Sequence, residues 1–155
     1  MVMQNNLLRH FYLLPFACCL FLLACSQNKN ENSITSDSPK FTQYYNQGKE
    51  LYEKNCGNRH QKNGTGLARL YPPLNKSDFV DNRQDDVICL IRNGKKGELT
   101  VNGIQFNQPM RGIPTLTDLE IAEIATYLYN SFGRSHGIVE VQKVTSVFQR
   151  CPTKE

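Results

Sequence analysis

No apolar run in this 155-residue chain is long enough to cross a bilayer as a helix. The longest, Phe11 to Ala24, has 14 residues where a spanning helix needs about 20. A multi-span membrane protein is thereby excluded. Runs of five or six like charges are also missing. The 18 Lys and Arg are scattered among 14 Asp and Glu, a net charge of +4, which gives nucleic-acid binding little support. Glycine and proline number 10 and 7, too few for a collagen-like or proline-rich disordered chain. No segment repeats. Histidine and methionine are scarce at three each, so a site built on either has few candidates. The length leaves room for one domain and hardly for two.

Arg9 and His10 stand before the apolar run, in the charged-then-apolar order of a secretory signal peptide. The run ends Leu22-Leu23-Ala24-Cys25, which resembles the lipobox of bacterial lipoproteins, whose cysteine is acylated on its thiol and becomes the first residue after cleavage. An ordinary signal peptide that happens to contain a cysteine is the plainer account of the same residues. The lipobox implies a signal peptide over 1–24, lipidation at Cys25 and a periplasm-facing chain anchored in the membrane. Ser26 after it favours the outer membrane. Residues 25–40, CSQNKNENSITSDSPK, hold a single apolar side chain, Ile34. Such a segment cannot bury enough surface to offset its ordering entropy, so it is expected to be a flexible tether.

Beyond it, Phe41, Tyr44, Tyr45, Gly48, Leu51 and Tyr52 share one side of a helix expected over 41–55. GNRHQKNGTG (57–66) is expected to be a loop, and LARLYPPL ends in two prolines that disfavour an interior helix or strand. A short helix over 82–93 has Gly94 in place to stop it. ELTVNGIQF (98–106) alternates around Asn102-Gly103, a strong hairpin signal. The clearest helix, 118–132, opens with a Thr117–Glu120 capping box, and its apolar residues cover more than one stripe. A last amphipathic helix is expected over 139–149. The fold class is therefore mostly α, small and loop-rich, with a core that looks thin for its loops.

With Cys18 and Cys19 lost with the signal peptide and Cys25 lipidated, Cys56, Cys89 and Cys151 remain in an oxidising compartment. Three is odd, so one thiol is free, reactive or bonded to something other than cysteine. The only other soft ligands of the mature chain are His60, His136 and Met110. Cys56-Gly57-Asn58-Arg59-His60 is the c-type haem attachment pattern C-x-x-C-H with Arg59 where the second cysteine belongs. Taken alone, these five residues also fit a free cysteine beside a solvated loop histidine.

GKELYEKNC, HQKNGTG and YPPL, then a lone methionine and LTDLEIAEIATYLYNSFG, are similar in order and spacing to the class I cytochrome c family over 41–133. The resemblance implies a cytochrome c domain at 41–133 with the extension 134–155 packed on it. It implies one haem c, with a single thioether from Cys56 instead of two, His60 as proximal iron ligand and Met110 as distal ligand. Pro72 or Pro73 would offer a carbonyl to the free nitrogen of His60, Leu74 would lie on the haem face, and Gly48 would meet the terminal helix near Tyr127 and Leu128. A lone Met is more often core filler, yet Met110 follows a proline in a polar loop. If Cys56 is on the haem, Cys89 and Cys151 are left to form a disulfide; the alternative is a buried Cys89 and an exposed tail thiol. The implied function is an electron carrier, not an enzyme, because His and Met fill both axial positions. Its partners would be envelope redox proteins, with the lipid bilayer engaged through Cys25 and no nucleic acid. Arg59 motivates an alternative, a haem-free module that keeps the fold for a binding or structural role; His60 and Met110 weigh against it. His136 fits a solvated turn, and Lys95 with Lys96 a solvated loop or a docking edge.

Overall fold

The computed structural model describes residues 38–152. The signal peptide expected at 1–24, the lipidation expected at Cys25 and nearly all of the expected tether lie outside these residues. The first helix, α1 (Pro39–Asn55), starts inside the segment expected to be tether. Ser38 caps it by accepting from the Phe41 amide at 3.1 Å, and Pro39 occupies the first turn, where its missing N–H leaves no bond unmade. The polar composition of 25–40 hid this start.

Helix α1 lies against the long helix near the C-terminus, Asp118–Tyr129. That helix begins at a complete capping box: Thr117 accepts from the Glu120 amide at 3.2 Å, and Glu120 accepts from the Thr117 amide at 2.8 Å. Every residue from Ile121 to Tyr129 is buried, so this is the central element, covered from several sides. At the crossing, a Cβ built on Gly48 would overlap the carbonyl oxygen of Glu123 and stand 3.0 Å from Tyr127 Cβ. Tyr127 then packs between Tyr45 and Tyr52, with ring centroids 5.3 and 5.2 Å away.

Between the crossing helices come α2 (Gly57–His60), α3 (Asp78–Asn82), α4 (Gln84–Asn93), and the strands β1 (Gly94–Lys95), β2 (Leu99–Val101), β3 (Ile104–Phe106) and β4 (Met110–Arg111). The central helix is thus α5, and α6 (Val141–Phe148) follows it. The hairpin β2–β3 pairs Leu99 with Phe106 and Val101 with Ile104, and Asn102 and Gly103 both take positive φ, as the tight turn requires.

Four details depart from expectation. The helix expected at 82–93 is there as Gln84–Asn93, but a separate turn, Asp78–Asn82, capped by Ser77, precedes it across Arg83 at φ −130° and ψ 45°. Gly57–His60 is a helical turn rather than loop. Helix α5 stops at Tyr129, not 132, because the Asn130 side-chain amide bonds the carbonyls of Thr126 and Gly137, both at 2.7 Å, and turns the chain back. The ladder of β1 with β4, which faces Lys95 with Met110, is too short to leave any periodicity. Cys89 and Cys151 are joined as a disulfide, with Cα atoms 5.7 Å apart.

Gly48→Ala tests the crossing. Alanine gains about 1 kcal/mol of helix propensity, but the overlap with a backbone oxygen outweighs it. A net loss of roughly 1–3 kcal/mol is expected in denaturant unfolding. An unchanged or raised midpoint would mean that α1 and α5 do not meet there.

Candidate cofactor site

Helix α1 delivers Cys56 directly, since the Cys56 amide closes its last turn on the Tyr52 carbonyl at 2.8 Å. The chain then winds once more: the amides of Arg59 and His60 both donate to the Cys56 carbonyl at 3.0 Å. Residues three and four apart share a helix face, so Cys56, Arg59 and His60 are neighbours. Gln61 at φ 64° ends the turn.

The His60 ring is buried and its Nδ1 lies 2.9 Å from the Pro72 carbonyl oxygen. A carbonyl can only accept, so Nδ1 carries the proton and donates, leaving the lone pair on Nε2. Among the described residues Nε2 has no hydrogen-bond partner. Burial pulls the His60 pKa below its ordinary value, the Pro72 bond acts the other way and Arg59 adds to the lowering. The imidazole is therefore neutral at neutral pH, the form that binds a metal. Burial pushes the Cys56 thiol up to about 12, against the pull of Arg59. So little of it is thiolate near neutrality that it is a poor free nucleophile. The Arg59 guanidinium has no ion-pair or hydrogen-bond partner among the described residues.

The loop from 61 to 75 holds the Pro72 carbonyl in place. The Gly66 amide donates to the His60 carbonyl at 2.9 Å, and the amides of Leu74 and Asn75 share the Gly64 carbonyl at 2.8 Å. Gly66 lies so close to the proline turn that a Cβ on it would overlap Tyr71 O and lie 2.8 Å from Pro72 O. Of the two prolines considered, Pro72 makes the bond to His60. Leu74 is half-buried against the core. Met110 is half-buried on β4, which follows the hairpin, and is paired there with Lys95 of β1. His136 is exposed, and Lys95 Nζ bonds only the Lys96 carbonyl, at 2.8 Å.

Sequence reasoning did not single out Gly66; its one signal was a Gly-x-Gly just ahead of the Pro-Pro pair. Arg92 and the buried Arg134 went unnoticed too, since an isolated arginine carries no pattern. Arg134 bonds the Leu74 carbonyl at 2.8 Å and pairs with Asp81, fastening the loop to the end of α5.

These residues fit a haem better than a bare ion. Among the described residues no three His, Cys, Asp or Glu gather to hold a metal. His60 has a free, pre-oriented Nε2. The nearby apolar Leu67 and Leu70 stand 43% and 53% exposed, which an apolar macrocycle would cover. None of the helices among the described residues is long and apolar enough to cross a membrane.

Gly66→Ala should push the Pro72 carbonyl away from Nδ1. In the natural protein the His60 Nδ1 proton is expected to exchange slowly and to show a proton resonance split by imidazole nitrogen. The variant should lose that protection. Equal exchange rates in both would separate Gly66 from the histidine.

The family model for cytochrome c matches residues 45–131. Cytochrome c-552 of Thermus thermophilus is 27% identical over 90 residues, covering 56% of this chain and 68% of that protein. A cytochrome c-552 from a designated strain of the same organism is also 27% identical over 90 residues, covering 56% of this chain and 60% of that protein. The family match begins within α1 and ends just past α5, so it takes in both helices of the Gly48 crossing and everything strung between them. The chain belongs to the cytochrome c family.

Proposed function

We propose that this protein is a haem c-binding electron carrier, anchored by lipid to the bacterial envelope and facing the periplasm, that passes single electrons between redox partners. The observation that carries the reading is His60: buried, neutral, held through Nδ1 by Pro72 and left with a free Nε2. Metal-bound histidines are oriented by this kind of outer bond. When bound, the haem iron supplies a one-electron couple, and a methionine opposite histidine favours its reduced state.

The chain's own residues do the rest. His60 and Met110 would hold the iron, and Cys56 would hold the macrocycle through one thioether, with no second cysteine at Arg59. Leu74, half-buried against the core, would cover the histidine side. An enzyme with Cys56 as nucleophile and His60 as base is disfavoured, because desolvation pushes the thiol up to about 12. The family points the same way, to a carrier rather than an enzyme. The anchor rests on the Leu22-Leu23-Ala24-Cys25 sequence, with Ser26 favouring the outer membrane. Arg59 in the place of the second cysteine supports a second reading, a haem-free module that binds partners through the same fold.

Two experiments test the proposal. The reduced pyridine complex of protein made in a host that matures c-type cytochromes should absorb between the positions for two thioethers and for none. Acidified organic solvent should leave the haem on the protein, and Arg59→Cys should move the bands back. Haem absent from both proteins would favour the haem-free module. Separately, Cys25→Ser should convert a membrane-associated protein into a soluble or unprocessed one. A natural protein with a free N-terminus in the soluble periplasmic fraction would refute the anchor.

A further inference from the structure

The segment from Met110 to α5 is held at both ends by one helix. At its start, β4 pairs with β1, and the backbones of Gly94 and Gly112 meet so closely that a Cβ on Gly94 would overlap Met110 O and lie 2.5 Å from Gly112 N. The Ile113 amide donates to the Ile91 carbonyl at 2.9 Å, so this half rides on the C-terminal end of α4. At the far end, Arg92 Nη2 donates to the Leu116 carbonyl at 3.3 Å and to Asp118 Oδ1 at 2.5 Å. Arg92 is the only side chain of α4 that donates a hydrogen bond to this segment among the described residues.

Arg92 in turn is held by the C-terminal extension. Its guanidinium carbon lies 3.6 Å from the centroid of the Phe148 ring on α6, a cation–π contact. Thr145, also on α6, donates to Asp118 Oδ2 at 2.5 Å. The disulfide from Cys151 reaches α4 at Cys89, about one turn before Arg92. The Thr145 and Arg92 bonds hold the Asp118 carboxyl below its ordinary pKa, which fits an ionised partner for the guanidinium. Only a planar guanidinium can stack on a ring and donate in its own plane at once, so lysine is no substitute.

We infer that Arg92 is the positioning residue of the Met110 segment, and that α6, through Phe148 and Thr145, holds Arg92 in the orientation this requires. The inference rests on Met110 being an iron ligand, as proposed above. The work of the extension is then to keep the methionine on the iron.

The test uses the full haem-loaded chain and four proteins: natural, Arg92→Lys, Phe148→Leu and Val147→Ala. Val147 is buried on the same helix but takes no part in these hydrogen bonds or in the ring contact, so its truncation reports plain destabilisation. Added imidazole competes with methionine for the ferric iron, and its apparent affinity is read from loss of the weak long-wavelength methionine band. Unfolding midpoints are measured alongside. Arg92→Lys and Phe148→Leu should each bind imidazole roughly tenfold more tightly, taking the loss of one charge-assisted contact as the scale. Val147→Ala should leave the affinity unchanged while lowering the unfolding midpoint. Affinity that follows the midpoint in all three variants, or that is unmoved in both Arg92→Lys and Phe148→Leu, would overturn the inference and leave the carrier reading standing. A natural protein that binds haem without the methionine band would overturn the Met110 assignment, and the inference with it.

Discussion

Gly48 touches α5 backbone to backbone, against the carbonyl of Glu123, and no side chain fits between them. That single contact sets how near α1 comes to α5. The length of α1 then determines where Cys56 emerges, because its amide still belongs to the helix through Tyr52. Tyr52 adds a second constraint: its ring packs on Tyr127 and its hydroxyl donates to the Gln61 carbonyl at 2.7 Å, just past the Cys56–His60 turn. So the position of His60 is inherited from a crossing made about two helical turns before Cys56. Phe132, edge-on to both Tyr52 and Tyr127, closes the same cluster from beyond α5.

Features that depend on nearby residues were legible. Thr117 and Glu120 announce α5 because both arms of the capping box are encoded within four residues. Asn102-Gly103 announces the hairpin because few residues accept positive φ. The mostly helical, loop-rich class followed from such signals. What stayed hidden is set across the fold. Arg83 separates α3 from α4 in a sequence with no proline or glycine at that point. The end of α5 depends on Asn130 finding the Gly137 carbonyl, seven residues on. At the site, the Cys-x-x-Arg-His pattern marked Cys56 and His60, and a proline carbonyl was expected for the imidazole nitrogen. Nothing in the sequence chose Pro72 over Pro73, because that choice belongs to Gly66, whose missing side chain lets the proline turn close on the histidine.

Arg59 changes the electrostatics of this turn as well as its covalent chemistry. A cysteine there would be neutral once joined to a vinyl group; the guanidinium is always charged. It sits beside His60 without a carboxylate to neutralise it, while the nearest acid of α1 in sequence, Glu53, pairs with Lys62 at 3.0 Å. On the proposed reading, a cation beside His60 would oppose positive charge on a bound iron and so favour its reduced state, in the same sense as methionine would. On that reading, the departure from the attachment motif would weaken the covalent hold on haem without working against the redox role.

Desolvation is what separates the half-buried Cys56 from an ordinary surface thiol. Beside an unpaired guanidinium, an exposed cysteine would be activated, since a nearby cation stabilises thiolate. Here desolvation exceeds that attraction and the thiol is pushed up to about 12. Left unbonded, Cys56 would therefore be a neutral, slow-reacting group packed against the core.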